Sequence, residues 1–408
     1  MSVPALSMET GLPALRLKSH EERRLRAGHL WVFSNEVDVV QTPLTDFSPG
    51  QAVELQAHNG KPLGTGYVNP HSLICARLVS RDAHHPLDRS LLVHRLKVAL
   101  SLRERLYPSP HYRLVHGEAD GLPGLVVDRY GQILVAQFST AGIERMREDV
   151  VTALCKVLAP QGILLRNDSP IRALEGLESY VEVAHGAVPD AVILEENGCR
   201  FRVPLQEGQK TGWYYDQRDN RRRAVEYVAG RRVLDLFSYL GGWGIQAAVH
   251  GAEHVRCVEA SSKASDQIAE NAALNGVVDR VETVPGDVFD TLKALREERE
   301  RFDVVVVDPP AFIKRKRDLK AGLEAYHRLN RMAMQVLAQD GILVSCSCSY
   351  HMGRDELRDV LLQSARHLDR SLQLLAQGSQ SSDHPVHPAI PETGYLKALF
   401  ARVLPAGF

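Results

Sequence analysis

The pattern of hydrophobic and polar positions divides the chain into three stretches, and the first of them, residues 15–82, consists of short apolar runs. Turn-forming residues separate these runs, and one separator, Asn59-Gly60, is typical of a β-hairpin when it lies between two strands. We therefore predict a small barrel-like β domain, preceded by a disordered leader at residues 1–14. The predicted strands are Leu30–Phe33, Ala52–Leu55, Leu63–Val68 and Leu73–Val79.

The second stretch, residues 83–194, mixes helical and extended patterns. Leu87–Leu106 and Gly142–Leu158 carry apolar residues at helical spacing, whereas the runs between and after them are short and bounded by turns. This pattern predicts an α+β middle domain, and a structural spacer is the simplest role for it. The predicted strands are Gly124–Val127, Ile133–Phe138 and Gly162–Leu165.

The third stretch, residues 195–408, alternates apolar strands with amphipathic helices, which predicts a parallel sheet covered on both faces. The last apolar run, Tyr395–Val403, predicts an antiparallel strand at the end of that sheet, a feature expected of methyltransferases and unusual in dehydrogenases. The predicted strands are Val233–Phe237, Val255–Glu259, Val281–Val284, Val304–Val307 and Ile342–Cys348, and the predicted helices are Gln217–Ala229, Ala264–Asn275, Val288–Arg299, Lys320–Ala338 and Arg354–Leu368.

A glycine-rich turn, Gly241–Gly244, joins the strand Val233–Phe237 to the start of a helix at Ile245. A strand, a glycine turn and a helix in this order form a nucleotide pocket at the carboxyl edge of a parallel sheet. Three glycines alone are weak evidence, so the choice of cofactor depends on the residues that follow.

Four acidic residues end four successive predicted strands of this sheet, where ligands of open α/β sheets bind. Glu259 lies 24 residues after Asp235, a position from which a carboxylate accepts both ribose hydroxyls of NAD or S-adenosylmethionine. Asp287 can accept a hydrogen bond from an adenine amino group, and Asp308 ends the fourth strand. Any one of these acids could simply cap its strand, but together they favour S-adenosylmethionine over a nicotinamide cofactor.

Composition narrows the class of protein further. No apolar run among the 408 residues approaches the ~20 needed to span a membrane, and Met1–Pro13 lacks the pattern of a secretory signal, which predicts a cytoplasmic protein. The six cysteines are too scattered for a disulfide framework or a zinc site. Because the net charge is only −1, RNA contact would have to come from local basic clusters. These clusters are Glu22–Arg26, Arg218–Arg223 and Lys314–Arg317.

Several longer motifs resemble the bacterial 23S ribosomal RNA cytosine-5 methyltransferase family, and they cover nearly the whole chain from about Leu15. The resemblance implies a Rossmann-like class I methyltransferase domain, preceded by a PUA module that binds RNA and by an α+β middle domain. It also implies S-adenosylmethionine as the cofactor and large-subunit ribosomal RNA, free or in an assembly intermediate, as the partner. The motifs lie at 118–130, 166–170, 208–218, 235–244, 308–310 and 345–349.

Methylation of cytosine C5 needs a thiolate that adds to C6, because C5 by itself is a poor nucleophile. Gly341–Ser349 supplies two cysteines, Cys346 and Cys348, on one face of a predicted strand. Cys348 lies nearer the strand end and takes the position that the resemblance implies is nucleophilic, and Cys346 is the second candidate. Burial as small apolar side chains is the alternative interpretation for both.

The resemblance also implies roles for other residues. Asp308 would hold the N3/N4 edge of cytosine, but Asp308-Pro-Pro-Ala lacks the second cysteine that many RNA cytosine-5 methyltransferases carry after this acid. The base that removes the C5 proton is therefore left unassigned. Lys210, Thr211 and Arg218 are expected near the methionine end of the cofactor, although a surface role for Arg218 is also open. The predicted cofactor-binding residues are Arg218, Asp235, Phe237, Ser238, Tyr239, Gly241, Glu259, Asp287 and Asp308, and the predicted RNA-binding residues are Lys314, Arg315, Lys316 and Arg317.

Three alternatives stay open. One is an enzyme that methylates an amino group of guanine or adenine, since an acid followed by Pro-Pro also serves that chemistry and needs no thiol. A second is an RNA-binding assembly factor without activity, and a nicotinamide dehydrogenase fits the acids least well. We expect no bound metal and no membrane contact, and a homodimer is a possible assembly.

Overall fold

A computed structural model describes residues 11–82 and 85–407, and these residues form two compact units. The first unit contains the described residues up to 192 together with 204–213 and 382–393, and the second contains 193–203, 214–381 and 394–407. Most of the predicted disordered leader, residues 1–10, lies outside the described residues, and Ala14 already belongs to the first strand.

The amino-terminal part of the first unit is a five-stranded sheet in the order β1-β3-β4-β5-β2. A bridge between Leu17 and Val37 links the segments that follow β1 and β2, so the two edges approach one another as in a small barrel. Leu15, Val53 and Leu78 are among the fully buried side chains inside it. The elements are β1 (Ala14–Arg16), α1 (Glu22–Arg26), β2 (Trp31–Phe33), β3 (Gln51–Gln56), β4 (Pro62–Val68) and β5 (Ile74–Ser80).

The rest of the first unit is mainly a second five-stranded sheet, in the order β10-β9-β8-β7-β6. Its core joins apolar residues of the strands to apolar residues of two long helices. The predicted helix over Gly142–Leu158 is divided at Met146, and two strands, β6 and β10, were not predicted. The elements are α2 (Arg89–Leu106), β6 (His111–His116), β7 (Leu125–Tyr130), β8 (Ile133–Phe138), α3 (Ala141–Arg145), α4 (Arg147–Leu158), β9 (Gly162–Asn167) and β10 (Tyr180–Gly186).

A hairpin, β11 (Ala191–Glu196) and β12 (Cys199–Pro204), precedes the main sheet of the second unit. That sheet has seven strands in the order β15-β14-β13-β16-β17-β19-β18, and its strands from β15 to β17 pair in parallel. The remaining elements are α5 (Arg218–Ala224), β13 (Arg232–Leu236), α6 (Gly242–Val249), β14 (His254–Glu259), α7 (Ser262–Leu274), β15 (Val281–Pro285), α8 (Val288–Glu297), β16 (Phe302–Val307), α9 (Leu319–Gln335), β17 (Leu337–Ser347), α10 (Arg354–Arg366), β18 (Arg370–Gly378) and β19 (Lys397–Pro405).

Both faces of this sheet are buried, as the near-continuous apolar runs of its strands require. Val305 and Val307 of β16 pack into one core, together with apolar residues of α8, α9 and α10. Val306 faces the opposite core, where Cys346 of β17 and Phe400 of β19 also lie. The alternation of strand side chains between two cores thus assigns Cys346 to a packed apolar environment.

The prediction that the last strand lies at the end of the sheet is wrong. β19 pairs antiparallel with β17 on one side and with β18 on the other, so β18 is the edge strand. β18 was missed because its sequence, Arg370-Ser-Leu-Gln-Leu-Leu-Ala-Gln-Gly378, lies half exposed at the edge and lacks the apolar run of a buried strand. β17 is also longer than predicted and ends at Ser347, one residue before Cys348.

No helix among the described residues is long and apolar enough to cross a membrane. Within residues 11–82 and 85–407, no cluster of three or more histidine, cysteine or acidic side chains has a metal-binding arrangement.

Candidate active site

The carboxyl ends of β13 to β16 place four acidic residues along one edge of the second unit's sheet. Asp235 lies inside the end of β13, Glu259 is the last residue of β14, and Asp308 directly follows β16. Asp287 follows β15 by two residues. Because these four strands are neighbours in the parallel part of one sheet, the acids lie along the crevice where such sheets bind ligands.

Asp235 connects its strand to the helix that follows the glycine turn. Its Oδ2 accepts a hydrogen bond of 2.9 Å from the backbone N–H of Gly244, while its Oδ1 is buried without a hydrogen-bond partner among the described residues. Burial raises the pKa of this carboxyl to about 7, although the bond from Gly244 opposes the shift. A polar ligand group is therefore able to satisfy an atom that the protein leaves unbonded.

The turn between β13 and α6 has an unusual backbone. Phe237 and Tyr239 have φ angles of 63° and 51°, in the left-handed region that side chains disfavour, and Gly241 follows with 81°. The Ser238 hydroxyl donates to the Asp235 carbonyl at 2.7 Å, which helps to hold the turn. Backbone in this region is found preferentially at functional sites.

Glu259 is fixed by the same turn. Its Oε2 accepts from the Tyr239 N–H at 2.8 Å and its Oε1 accepts from the Ser261 N–H at 2.9 Å. Each carboxylate oxygen has further acceptor capacity, so the ribose role predicted for this residue is compatible with its position.

Asp287 has a structural function in addition to its predicted contact with adenine. It is the N-cap of α8, and its Oδ1 accepts from the backbone N–H groups of Phe289 and Asp290 at 2.8 and 3.2 Å. The side chain is exposed, so a ligand can reach it.

Two hydrogen-bond donors hold Asp308, and neither was predicted from the sequence. Gln217 Nε2 donates to Oδ1 at 3.0 Å, and Trp243 Nε1 donates to Oδ2 at 3.1 Å. The Gln217 amide is itself oriented, because Asn220 Nδ2 donates to its Oε1 at 2.7 Å. Burial raises the pKa of Asp308 to about 6, and the nearby carboxylate of Asp216 also raises it, while the bonds from Trp243 and Gln217 lower it.

The two candidate cysteines have different surroundings. Cys346 is fully buried between the sheet strands and helices, and burial raises the pKa of its thiol well above the ordinary value, with the charge of Asp308 adding to the shift. Cys348 follows the end of β17 and is partly exposed. Only Cys348 of this pair is therefore reachable from the edge of the sheet.

The loop that carries Cys348 is anchored on both sides of the thiol. The Ser347 hydroxyl donates to the Tyr326 hydroxyl at 3.0 Å, and the hydroxyls of Tyr326 and Ser349 are also 3.0 Å apart. The Ser349 Oγ accepts from the Ile313 N–H at 3.2 Å. These buried bonds restrict the backbone around Cys348.

Two further side chains near this loop were not predicted. Tyr214 is half buried with its ring at 5.5 Å from that of Tyr239, and burial raises the pKa of its phenol, with negative charges on Tyr239, Asp216, Asp308 and Cys348 adding to the rise. Lys397 begins β19 opposite Ser347. The signal for Lys397 was visible in the sequence, since it is the one cation in the first half of the apolar run Tyr395–Val403.

Arg218 is buried, contrary to the surface role that the sequence had left open. Its guanidinium carbon lies 5.1 Å from the centre of the Tyr215 ring, and its Nε is 3.6 Å from Glu196 Oε2. Lys210 and Thr211, which precede Arg218 in the sequence, belong to the first unit, where the Thr211 hydroxyl donates to Asp128 Oδ2 at 2.5 Å.

The basic cluster Lys314–Arg317 starts six residues after Asp308, on the connection between β16 and α9. All four side chains are exposed. Arg317 has a distant ion pair with Asp318, at 3.9 Å. The cluster is thus placed on the segment that leaves the same edge of the sheet.

Comparison with protein families gives two matches. Residues 142–402 match a model of S-adenosylmethionine-dependent methyltransferases, and residues 15–81 match a model of PUA-like domains. Both matches agree with the folds of the corresponding segments and confirm the predicted fold class and the predicted cofactor.

Full-length relatives are also found. The chain is 38% identical over 391 residues to ribosomal RNA large subunit methyltransferase I of Aeromonas salmonicida, which covers 95% of this chain and 98% of that protein. The protein of the same name from Salmonella arizonae is 36% identical over 397 residues, with coverages of 96% and 98%.

Solved structures with the same fold include a protein from Streptococcus mutans that is described as a SAM-dependent methyltransferase. It has a TM-score of 0.81 at 21% identity and covers 95% of this chain and 99% of its own. Another protein, described as a methyltransferase and solved in complex with S-adenosylhomocysteine, has a TM-score of 0.82 at 22% identity, with the same coverages. At identities this low, the structural similarity shows a shared fold and nothing further.

Proposed function

The chain belongs to the family of S-adenosylmethionine-dependent methyltransferases that includes ribosomal RNA large subunit methyltransferase I, and we propose that it methylates C5 of a cytosine in 23S ribosomal RNA. Membership confirms the family resemblance read from the sequence. As part of the proposal, the enzyme acts in the cytoplasm, on free ribosomal RNA or on an assembly intermediate of the large subunit.

S-adenosylmethionine supplies a methyl group made electrophilic by its positively charged sulfur. The residues at the sheet edge fit such a molecule, because the buried Oδ1 of Asp235 has no partner within the described ranges. In the proposal, the turn Phe237–Gly241 and Arg218 bind the methionine part, Glu259 accepts the ribose hydroxyls, and Asp287 accepts from the adenine amino group.

Cys348 is the proposed nucleophile. Its thiolate sulfur forms a bond to C6 of the cytosine, and the electron pair of the C5–C6 double bond moves to C5, which then takes the methyl group. Loss of the C5 proton to a base restores the double bond, and the bond between C6 and the Cys348 sulfur breaks to release the thiolate. The net change replaces the C5 hydrogen with a methyl group and releases one proton.

Asp308 is proposed to hold the cytosine during these steps. In its protonated form, a carboxyl group can donate to N3 and accept from the N4 amino group at once. The electron pair that thiolate addition moves to C5 is shared with N3 through C4, and the proton of Asp308 stabilises the negative charge at N3 until C5 takes the methyl group. A pKa of about 6, raised by burial, keeps a useful fraction of this acid protonated near neutral pH.

A cytosine inside folded RNA must leave its stack before a thiol can reach C6. The partly exposed position of Cys348 at the sheet edge suits an extruded base or a base in a loop. The exposed cluster Lys314–Arg317 is proposed to bind the phosphates on either side of it.

The single observation that carries the proposal is the position of Cys348, reachable at the edge of the sheet that also holds Asp308. We expect Cys348→Ala to lower methyl transfer by about 10³-fold or more, because the covalent route is lost. The assay is transfer of radiolabelled methyl groups to unmodified 23S ribosomal RNA, followed by mapping of 5-methylcytosine.

Cys346→Ala is the matched control, since this thiol is buried in the core, and we expect it to retain most of the activity. Full activity in both Cys348→Ala and Cys346→Ala would exclude the thiol mechanism. It would favour methylation of an amino group of guanine or adenine, for which Asp308-Pro309-Pro310 would suffice, and nucleoside analysis would identify that product. Failure of the wild-type protein to label any RNA would instead favour an assembly factor without activity.

A further inference from the structure

A buried lysine lies beside the loop of the proposed nucleophile. Lys397 begins β19 and pairs across the sheet with Ser347, the residue before Cys348. Only 7% of Lys397 is exposed. A lysine this deeply buried is uncommon, because removing an ammonium group from water is costly unless the surroundings compensate it.

The contacts of the Lys397 ammonium group are directed at this loop. Its Nζ donates to the carbonyl of Ser349 at 2.6 Å and to the carbonyl of Tyr395 at 2.9 Å. Among the residues that the structure describes, no carboxylate forms an ion pair with it. Two carbonyl dipoles therefore solvate a charge that has no direct counterion, and one of them belongs to the residue after Cys348.

The lysine and the cysteine also interact electrostatically. Burial lowers the pKa of Lys397 to about 8, and the negative charge of an ionised Cys348 raises it. The interaction is mutual, so a protonated Lys397 favours the thiolate form of Cys348. A cation beside a thiol is a common means of lowering its pKa in reactive cysteines.

Other charged groups near these two residues have smaller or opposing effects. Glu356 favours the charged form of Lys397, and Arg354 disfavours it. The phenols of Tyr214 and Tyr326 also interact with Cys348, and both are neutral near pH 7, since the ordinary pKa of a phenol, 10.0, lies far above 7 and burial raises it further. Asp308 and Cys348 both interact with Tyr214, and the carboxylate of Asp308 would oppose a second negative charge near it.

We propose that Lys397 is a positioning residue that stabilises the thiolate of Cys348 and holds its loop through the Ser349 carbonyl. The proposal rests on the proposed function, in which Cys348 is the nucleophile. The lysine does not contact the substrate in this scheme. It acts through Cys348, and it gives the site a positive charge at the point where a thiolate must form before it can attack C6.

The ionisation of Cys348 can be measured without RNA. The rate of its alkylation by iodoacetamide is followed against pH in the full chain, with mass spectrometry of the peptide that contains Cys348. We expect Lys397→Met to raise the apparent pKa of this thiol by about one unit or more, which lowers the alkylation rate at pH 7 by about tenfold. Lys397→Arg, which keeps the cation, should restore most of the rate.

Two more variants separate charge from structure. Lys397→Gln keeps a donor for the Ser349 carbonyl but removes the charge, so it should show the same pKa shift even if Lys397→Met fails to fold. Lys293→Met, at an exposed position of α8, is the matched control and should leave the profile unchanged. An unaltered pKa of Cys348 in a folded Lys397→Gln or Lys397→Met variant would overturn the proposal.

The result of this alkylation experiment can be distinguished from a failure of the proposed function. If Cys348→Ala kept full methyl transfer, Cys348 would not be the nucleophile, yet the alkylation profile would still report whether Lys397 controls its ionisation. If Cys348→Ala is inactive, methyl transfer by Lys397→Gln should fall at pH 7 and recover in part as the pH rises and the thiol ionises.

Discussion

Two donors from separate helical segments fix the carboxyl group of Asp308. Gln217 precedes α5 and Trp243 lies in α6, and each bonds a different oxygen of Asp308. With both oxygens oriented, the carboxyl plane cannot turn freely. Its raised pKa, caused mainly by burial, brings the titration of this group close to neutral pH, so its protonation state is measurable in activity.

We expect a bell-shaped dependence of kcat/KM on pH. In the proposed mechanism the active form has Asp308 protonated and Cys348 ionised, and the product of these two populations falls on both sides of a maximum. Because Asp308 has a pKa of about 6, one limb should lie near pH 6. The measurement is kcat/KM for methyl transfer from pH 5 to 9.

Asp308→Asn tests the assignment of that limb. We expect it to lower kcat/KM by about 10²-fold or more and to remove the limb near pH 6 from the residual activity. A variant profile that kept both limbs would assign the limb near pH 6 to another group. Gln217→Leu should shift this limb toward higher pH. The hydrogen bond from Gln217 stabilises the ionised carboxylate of Asp308, so its removal should raise the pKa of Asp308 further.

At the scale of secondary structure, a single buried carboxyl links β13 to α6. Asp235 accepts from Gly244, and a side chain at Gly244 would overlap the Cys257 sulfur and press on Val255 of β14. The helix therefore packs directly on the sheet through backbone and glycine. Close approach of this kind sets the position of the turn in which Phe237 and Tyr239 have positive φ.

The raised pKa of Asp235 predicts a pH dependence of stability. Its pKa is about 7 in the folded protein, owing to burial, and the ordinary value is 3.8. The folded state therefore binds more protons than the unfolded state between these values, so stability should decrease as pH rises from about 4 to 7. Asp235→Asn should remove a contribution on the order of 2 kcal/mol across pH 5 to 7.

Chemical unfolding of the wild-type protein and Asp235→Asn at pH 5, 6 and 7 measures this effect. The difference between the two free energies of unfolding should change with pH in the stated direction. A difference that stays constant over this range would show that Asp235 keeps an ordinary pKa.

The sequence was most informative where strands are buried on both faces. The parallel strands β13 to β17 appear in the sequence as apolar runs that no turn interrupts. The acidic residues could be predicted because each comes at or near the end of such a run. β18 lacks such a run, so the edge of the sheet was assigned to β19 instead. The donors to Asp308 could not be predicted, because Gln217 and Trp243 are 91 and 65 residues away in the chain and only tertiary packing brings them together.

For the whole molecule, positive and negative side chains nearly cancel, with 49 lysines and arginines against 50 acidic residues. A chain with this balance has no overall field that would draw in RNA. Electrostatic affinity for phosphates must therefore depend on local clusters, and the loss of one cluster should weaken binding strongly. The exposed segment Lys314–Arg317 begins six residues after Asp308, closest in sequence to the proposed catalytic residues.

We expect replacement of all four residues of Lys314–Arg317 by alanine to weaken binding of 23S ribosomal RNA fragments. Each lost phosphate contact removes a share of counterion release, so the slope of log K against log salt should fall by about 1 to 3. Affinity should drop most at low salt, and the thiol ionisation of Cys348 should stay unchanged. The control is alanine replacement of four exposed basic residues on and after α8, namely Lys293, Arg296, Arg299 and Arg301. An equal loss of affinity in both variants would mean that RNA is held by the general charge of the surface.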